Sequence, residues 1–95
     1  MQSDLENAFD AALAHVKRLI RTDMKTADGN SARTQLEELE KELKRERAKA
    51  VARRTVDREW FQKTVRWVVE WVPDDELTLV AALGAIARAA TSRLS

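Results

Sequence analysis

The stretch from Val56 to Val72 constrains the fold more than any other part of the chain, because it contains all three tryptophans. Read as a helix at about 100° per residue, its apolar side chains cover an arc of roughly 220°. One antiparallel neighbour covers about 100–140° of a helix surface. We therefore expect this segment to pack against partners on more than one side.

Two neighbouring apolar stripes make up this arc. The first contains Phe61, Val65, Val68 and Val72, and the second, the tryptophan stripe, contains Trp60, Thr64, Trp67 and Trp71. Only the first is in phase with the leucines upstream, so we expect it to continue the core and the tryptophan stripe to be surplus. We favour a homo-oligomer interface for the tryptophan stripe, since Trp is enriched at interface centres. A monomeric core and an exposed site for a partner helix or membrane surface stay open as alternatives.

The composition predicts an all-α fold in one domain covering residues 1–95. The chain has two glycines, one proline and no tyrosine, and it is rich in the residues that favour long helices. A chain of this length buries only about 60–65% of its unfolded surface, which makes an isolated monomer marginal. We therefore expect an intertwined, coiled-coil or bundle-like homodimer.

Three helices are predicted, over residues 3–26, 33–72 and 74–92. Ser3 and Glu6 have the spacing of a capping box at the first start, a turn is expected at 27–31, and Pro73 breaks the chain before the last helix. The central helix has no Gly or Pro and would be roughly 57 Å long if it were straight. The first helix is expected to fold back along its first half, and the third along its second half.

Arg54 and Asp57 interrupt the apolar face of this central helix. Spaced three residues apart, they could form an ion pair that fixes the register of a helical interface. They could equally lie in water at an open junction, and they mark the place where a bend is expected if the helix is not straight.

The segment 41–58 is basic, with eight Lys and Arg residues against three Asp and Glu residues. A positive helix segment is typical of nucleic-acid binders, whose candidate contacts here are Lys44, Arg45, Arg47, Lys49, Arg53 and Arg58. In an antiparallel hairpin, however, Asp4, Glu6 and Asp10 would lie beside Arg47, Arg53 and Arg54. We therefore favour intramolecular pairing or a solvated face over nucleic-acid binding, with another acidic partner also open.

The sequence offers little material for catalysis. It has no cysteine, and His15 is its single histidine, without a carboxylate at i+3 or i+4. We expect no enzyme activity, no cofactor and no metal site. The longest apolar-leaning run, from Leu77 to Ala90, is shorter than the about 20 residues of a membrane span, and the polar N-terminus lacks signal-peptide character, so a cytoplasmic location is expected.

These observations favour a non-enzymatic oligomerisation or adaptor protein, which assembles as a homodimer through the second half of the central helix and can also hold another protein partner. The expected interface consists of Trp60, Thr64, Trp67, Trp71, Leu79, Leu83 and Ile86. The alternative is a small nucleic-acid-binding regulator that uses the basic segment.

Overall fold

The computed structural model describes residues 3–94, with side chains from residue 3 to residue 90, and within that range the chain is helical. Its elements are α1 (Asp4–Arg21), α2 (Arg33–Arg53), α3 (Arg58–Trp71), a short 3₁₀ turn (Asp74–Glu76) and α4 (Thr78–Leu94). The predicted all-α class is confirmed, but the described residues contain four α-helices where three were expected.

The first helix begins as predicted and ends early. The backbone amide of Glu6 donates to the Ser3 hydroxyl at 3.2 Å, which confirms the cap. The helix was expected to reach residue 26 but ends at Arg21, and Asp23 then adopts a left-handed φ of 55°. This reversal turns Met24 and Thr26 inward, where both are buried.

The connection between α1 and α2 is held by backbone hydrogen bonds. The amide of Ala32 donates to the Met24 carbonyl at 3.0 Å, and Gly29 supplies the positive φ of the turn. The amide of Ala27 donates to the carbonyl of Trp71, the last residue of α3, at 2.9 Å. The connection is therefore fixed to the end of a helix distant in sequence.

The single long helix predicted over 33–72 is wrong, because the chain turns between α2 and α3. Arg54 adopts the left-handed conformation (φ 59°, ψ 31°), and its amide caps α2 by donating to the Ala50 carbonyl. Asp57 then caps α3, since its carboxylate accepts from the Trp60 amide at 3.2 Å. The two polar residues that interrupt the apolar face thus end one helix and start the next without Gly or Pro.

The first helix lies at the centre of the bundle, in contact with both α2 and α4, while α3 packs against α4. The α1–α2 hairpin is antiparallel as predicted, because Arg47 late in α2 contacts Asp10 early in α1 at 2.7 Å. The last helix contacts α3, the second half of the predicted central helix, as expected, but it also packs extensively on α1, which was not expected. The molecule measures 41 × 22 × 19 Å, with a radius of gyration of 13.1 Å.

Within the described part of the chain, no helix combines the length and apolar character needed to cross a lipid bilayer.

Candidate association surface on the third helix

The tryptophan stripe of α3 lies mostly inside the single chain. Trp60 is 9% exposed, and its ring stacks on buried Phe9 of α1 with centroids 6.5 Å apart. Thr64 and Trp71 are also buried. These three side chains of the expected interface are therefore covered by the chain's own helices.

Trp67 is the partly exposed member of this stripe. Its ring forms an edge-to-face pair with the Trp71 ring, with a centroid distance of 5.3 Å and an angle of 71° between the ring planes. The indole nitrogens of Trp60 and Trp71 are buried, with no acceptor among the described residues. The core thus buries the rings of Trp60 and Trp71, but their indole N–H groups make no hydrogen bond to a described residue.

The interface residues expected from α4 are buried as well. Leu79, Leu83 and Ile86 have no exposed surface in the single chain. They form the apolar face with which α4 closes the bundle. Of the seven side chains expected at an interface, Trp67 alone is partly exposed, so a second chain would have to use neighbouring residues.

An outer stripe on α3 consists of Phe61, Val65 and Val69, of which Phe61 and Val65 also pack against the core. Val69 is 54% exposed, and the first two are partly buried. Leu77, between the 3₁₀ turn and α4, is 55% exposed. Val68 and Val72 of the first stripe are buried as predicted, and Phe61 and Val65 pack against the same core, so both stripes of α3 contribute to it. Because the chain breaks at residues 54–57, α3 packs within the bundle and buries most of the tryptophan stripe as well.

The proposed register residues lie at the two ends of that break. Arg54 closes α2 and Asp57 caps α3, and both side chains are exposed. Their positions define where the chain turns.

Half of the candidate nucleic-acid contacts form ion pairs within the chain. Arg47 contacts Asp10 at 2.7 Å and Glu6 at 3.9 Å, as the hairpin predicts, and the hydrogen bond with Asp10 raises the pKa of Arg47. Arg45 contacts Glu42 at 2.7 Å, and both Arg45 and Lys49 contact buried Glu46.

The other three candidate contacts, Lys44, Arg53 and Arg58, are exposed. The positive field of the segment is therefore partly neutralised.

A polar chain that links α1 to α4 was not foreseen from the sequence. Arg18 donates to Nδ1 of His15 at 2.7 Å, and Nε2 of His15 lies 3.1 Å from the Thr78 hydroxyl. The Thr78 hydroxyl donates to Glu76 at 3.0 Å. Since the threonine proton points to Glu76, His15 is not placed to activate that hydroxyl as a nucleophile. His15 and Thr78 are far apart in the sequence, so no local sequence pattern could predict this contact.

A groove of about 370 Å³ separates α2 from α3. Its lining residues are Glu38, Glu42, Trp60, Lys63, Thr64 and Trp67. The carboxylates come from one helix and the aromatic rings from the other. The i,i+4 spacing of Glu38 and Glu42 places them on one face of α2, but nothing in the sequence indicated that α3 would lie opposite.

Comparisons with protein-family models, with curated proteins and with solved structures returned no match for this chain. Its surfaces are therefore the basis for the functional argument. They define a small helical bundle with an apolar stripe and an acidic, aromatic groove on opposite flanks of α3.

Proposed function

We propose that this protein is a non-enzymatic association module that forms a homodimer through the outer stripe of α3. The observation that carries the proposal is the exposure of Val69, at 54%, on the same helical face as Phe61 and Val65. Three apolar side chains at i, i+4 and i+8 form a ridge of the kind that packs into the groove of a second helix. Burial of this ridge in a seam with a second helix would remove the apolar surface that the chain leaves in water.

Charge at the two ends of the stripe supports a second copy as the partner. Arg58 lies at the N-terminal end of α3, and exposed Asp74 and Asp75 follow its C-terminal end. Two copies related by a two-fold axis, with their α3 helices antiparallel, place each basic end beside an acidic end. A self-complementary patch of this kind is what an isologous interface requires.

Sedimentation equilibrium of the full chain at tens of micromolar tests the dimer. We expect wild type to sediment as a dimer and Val69→Glu as a monomer, because a carboxylate in the seam would lose its hydration without a partner. Val51→Glu is the matched control, since Val51 is 40% exposed on α2 outside the stripe. It should remain dimeric, and circular dichroism should show both variants helical. A monomeric wild type, or equal dissociation in both variants, would contradict the proposal.

The alternative function, nucleic-acid binding, keeps three of its six candidate contacts exposed, namely Lys44, Arg53 and Arg58. Arg45, Arg47 and Lys49 are engaged with carboxylates of the same chain, so binding phosphate would require those ion pairs to open. A titration with duplex DNA at low and high salt separates the two functions. Binding at low salt that falls steeply with added salt would favour the regulator.

A further inference from the structure

We propose that the groove between α2 and α3 binds an arginine side chain of a partner polypeptide. This site is separate from the dimer seam, because Lys63 and Trp67 lie on the flank of α3 opposite to Val65 and Val69. The two surfaces can therefore be tested independently.

The groove is lined by the two kinds of side chain that bind a guanidinium group, namely aromatic rings and carboxylates. Trp60 and Trp67 line one side, and indole rings are the strongest aromatic partners for a cation. Glu38 and Glu42 line the other side, and carboxylates pair with the planar guanidinium through two parallel hydrogen bonds. An anion would meet two carboxylates and a single ammonium group, so the charge of the groove favours a cation.

Glu38 is the carboxylate that is open to a ligand. It is exposed, and it has no ion pair or hydrogen bond within the described part of the chain. Glu42 is already bound to Arg45 at 2.7 Å but has lone pairs to spare. The Lys63 ammonium also lines the groove, although Glu59 holds it at 3.2 Å. Lys63 weakens the attraction for a cation without reversing it.

Arginine fits this arrangement better than lysine. Its guanidinium is planar, stacks on aromatic faces and is more weakly hydrated than an ammonium ion, so it loses less solvation against the partly exposed ring of Trp67. The groove is open along one side, which suits a side chain presented by another molecule. A polypeptide also brings backbone carbonyls, and the buried indole nitrogen of Trp60 is a donor with no acceptor among the described residues.

The test uses a blocked peptide with arginines spaced by alanines, together with matched lysine and citrulline peptides and free arginine amide. Binding to the full chain is followed by calorimetry and by the NMR signals of the three indole N–H groups. We expect the arginine peptide to shift the Trp60 and Trp67 signals, the lysine peptide to bind more weakly, and the neutral citrulline peptide to leave them unchanged. Free arginine amide should bind more weakly than the peptide, and equal affinity would overturn the assignment to a polypeptide.

Charge variants of α2 and α3 provide the controls. The double variant Glu38→Gln/Glu42→Gln should weaken the arginine peptide about tenfold, since both charge-assisted bonds are lost. The control Glu37→Gln/Glu40→Gln removes the same charge from α2 outside the groove, and its affinity should stay within about twofold of wild type. Lys63→Met should tighten binding about two- to threefold, because a like charge is removed.

Three results would overturn the proposal. The first is an absence of indole shifts at millimolar arginine peptide. The second is equal weakening in the two glutamine double variants, which would indicate attraction to the overall charge of α2. The third is weaker binding by Lys63→Met. The dimer variant Val69→Glu should bind the peptide like wild type, so failure of the dimer leaves this test intact.

Discussion

At the scale of single residues, His15 is held in its neutral form by the direction of its hydrogen bonds. Nδ1 accepts from Arg18, so it carries no proton, and Nε2 is left to donate to Thr78. Burial lowers the pKa of His15, and the positive charge of Arg18 lowers it further, while Glu76 raises it. A protonated ring would lose the bond from Arg18 and place two cations together.

This arrangement predicts a pH-dependent stability. The pKa of His15 is lower in the folded chain than its ordinary value of 6.5, so the unfolded chain binds the proton more readily. The contribution is fully present above pH 6.5 and is lost as pH falls through 6.5 toward the lowered pKa. Thermal melts between pH 7.5 and 5.5 should show a falling midpoint in wild type and a flatter profile in His15→Gln. Parallel profiles would contradict this role.

At the scale of the elements, α3 is set in the bundle by the face around Trp60, Thr64, Val68 and Trp71. Phe9 of α1 packs against this face by stacking on the ring of Trp60. Val68 has no exposed surface, whereas its neighbour Val69 is 54% exposed. One step along the helix therefore separates the core from the proposed seam.

Substitution of these neighbours tests which face is buried. Val68→Ala should lower the free energy of unfolding by about 2–3 kcal/mol, because two buried methyl groups are removed and a cavity remains. Val69→Ala should change it by less than about 0.5 kcal/mol in dilute protein, where the seam is open. Urea unfolding monitored by circular dichroism at low micromolar concentration measures both. Similar losses would show that α3 is rotated from the orientation described here.

The elements also show what could and could not be read from the sequence. The apolar period of α1 and the cap at Ser3 are local signals, and both predicted the structure. The break after Arg53 carries no Gly or Pro, so it became visible only as two polar residues on an apolar face. The assumption that α3 continues α2 in one long helix left the tryptophan stripe without a partner in the chain, whereas Trp60, Thr64 and Trp71 are buried in its core. The groove exists because the chain breaks between α2 and α3, and the His15 network joins residues that are distant in the sequence. The periodicity of apolar residues predicts neither feature.

At the scale of the whole molecule, the break shortens the chain's longest dimension. A straight helix from Arg33 to Trp71 would exceed the 41 Å extent of the bundle. The turn at residues 54–57 instead lets α1 contact both α2 and α4. The chain thus encloses Trp60 and Trp71 within one small core.

Spin-label distances test this shape directly. The sequence contains no cysteine, so labels on Thr34→Cys and Glu70→Cys attach only where intended. A continuous helix would separate these positions by roughly 54 Å at 1.5 Å per residue. The bent chain should give a far shorter backbone distance, because the amide of Ala27, shortly before Thr34, donates to the carbonyl of Trp71, next to Glu70. A pair at Thr34→Cys and Arg53→Cys, both within α2, is the reference and should give about 29 Å in either case. The Val69→Glu background removes distances between copies.

The hydrogen bond between the Ala27 amide and the Trp71 carbonyl makes a surface connection dependent on a distant helix. An amide in such a connection normally exchanges its hydrogen with water quickly, since local opening there requires little free energy. At Ala27 the exchange rate instead follows the undocking of the end of α3. A single backbone proton outside α3 thereby reports how often that helix leaves the bundle.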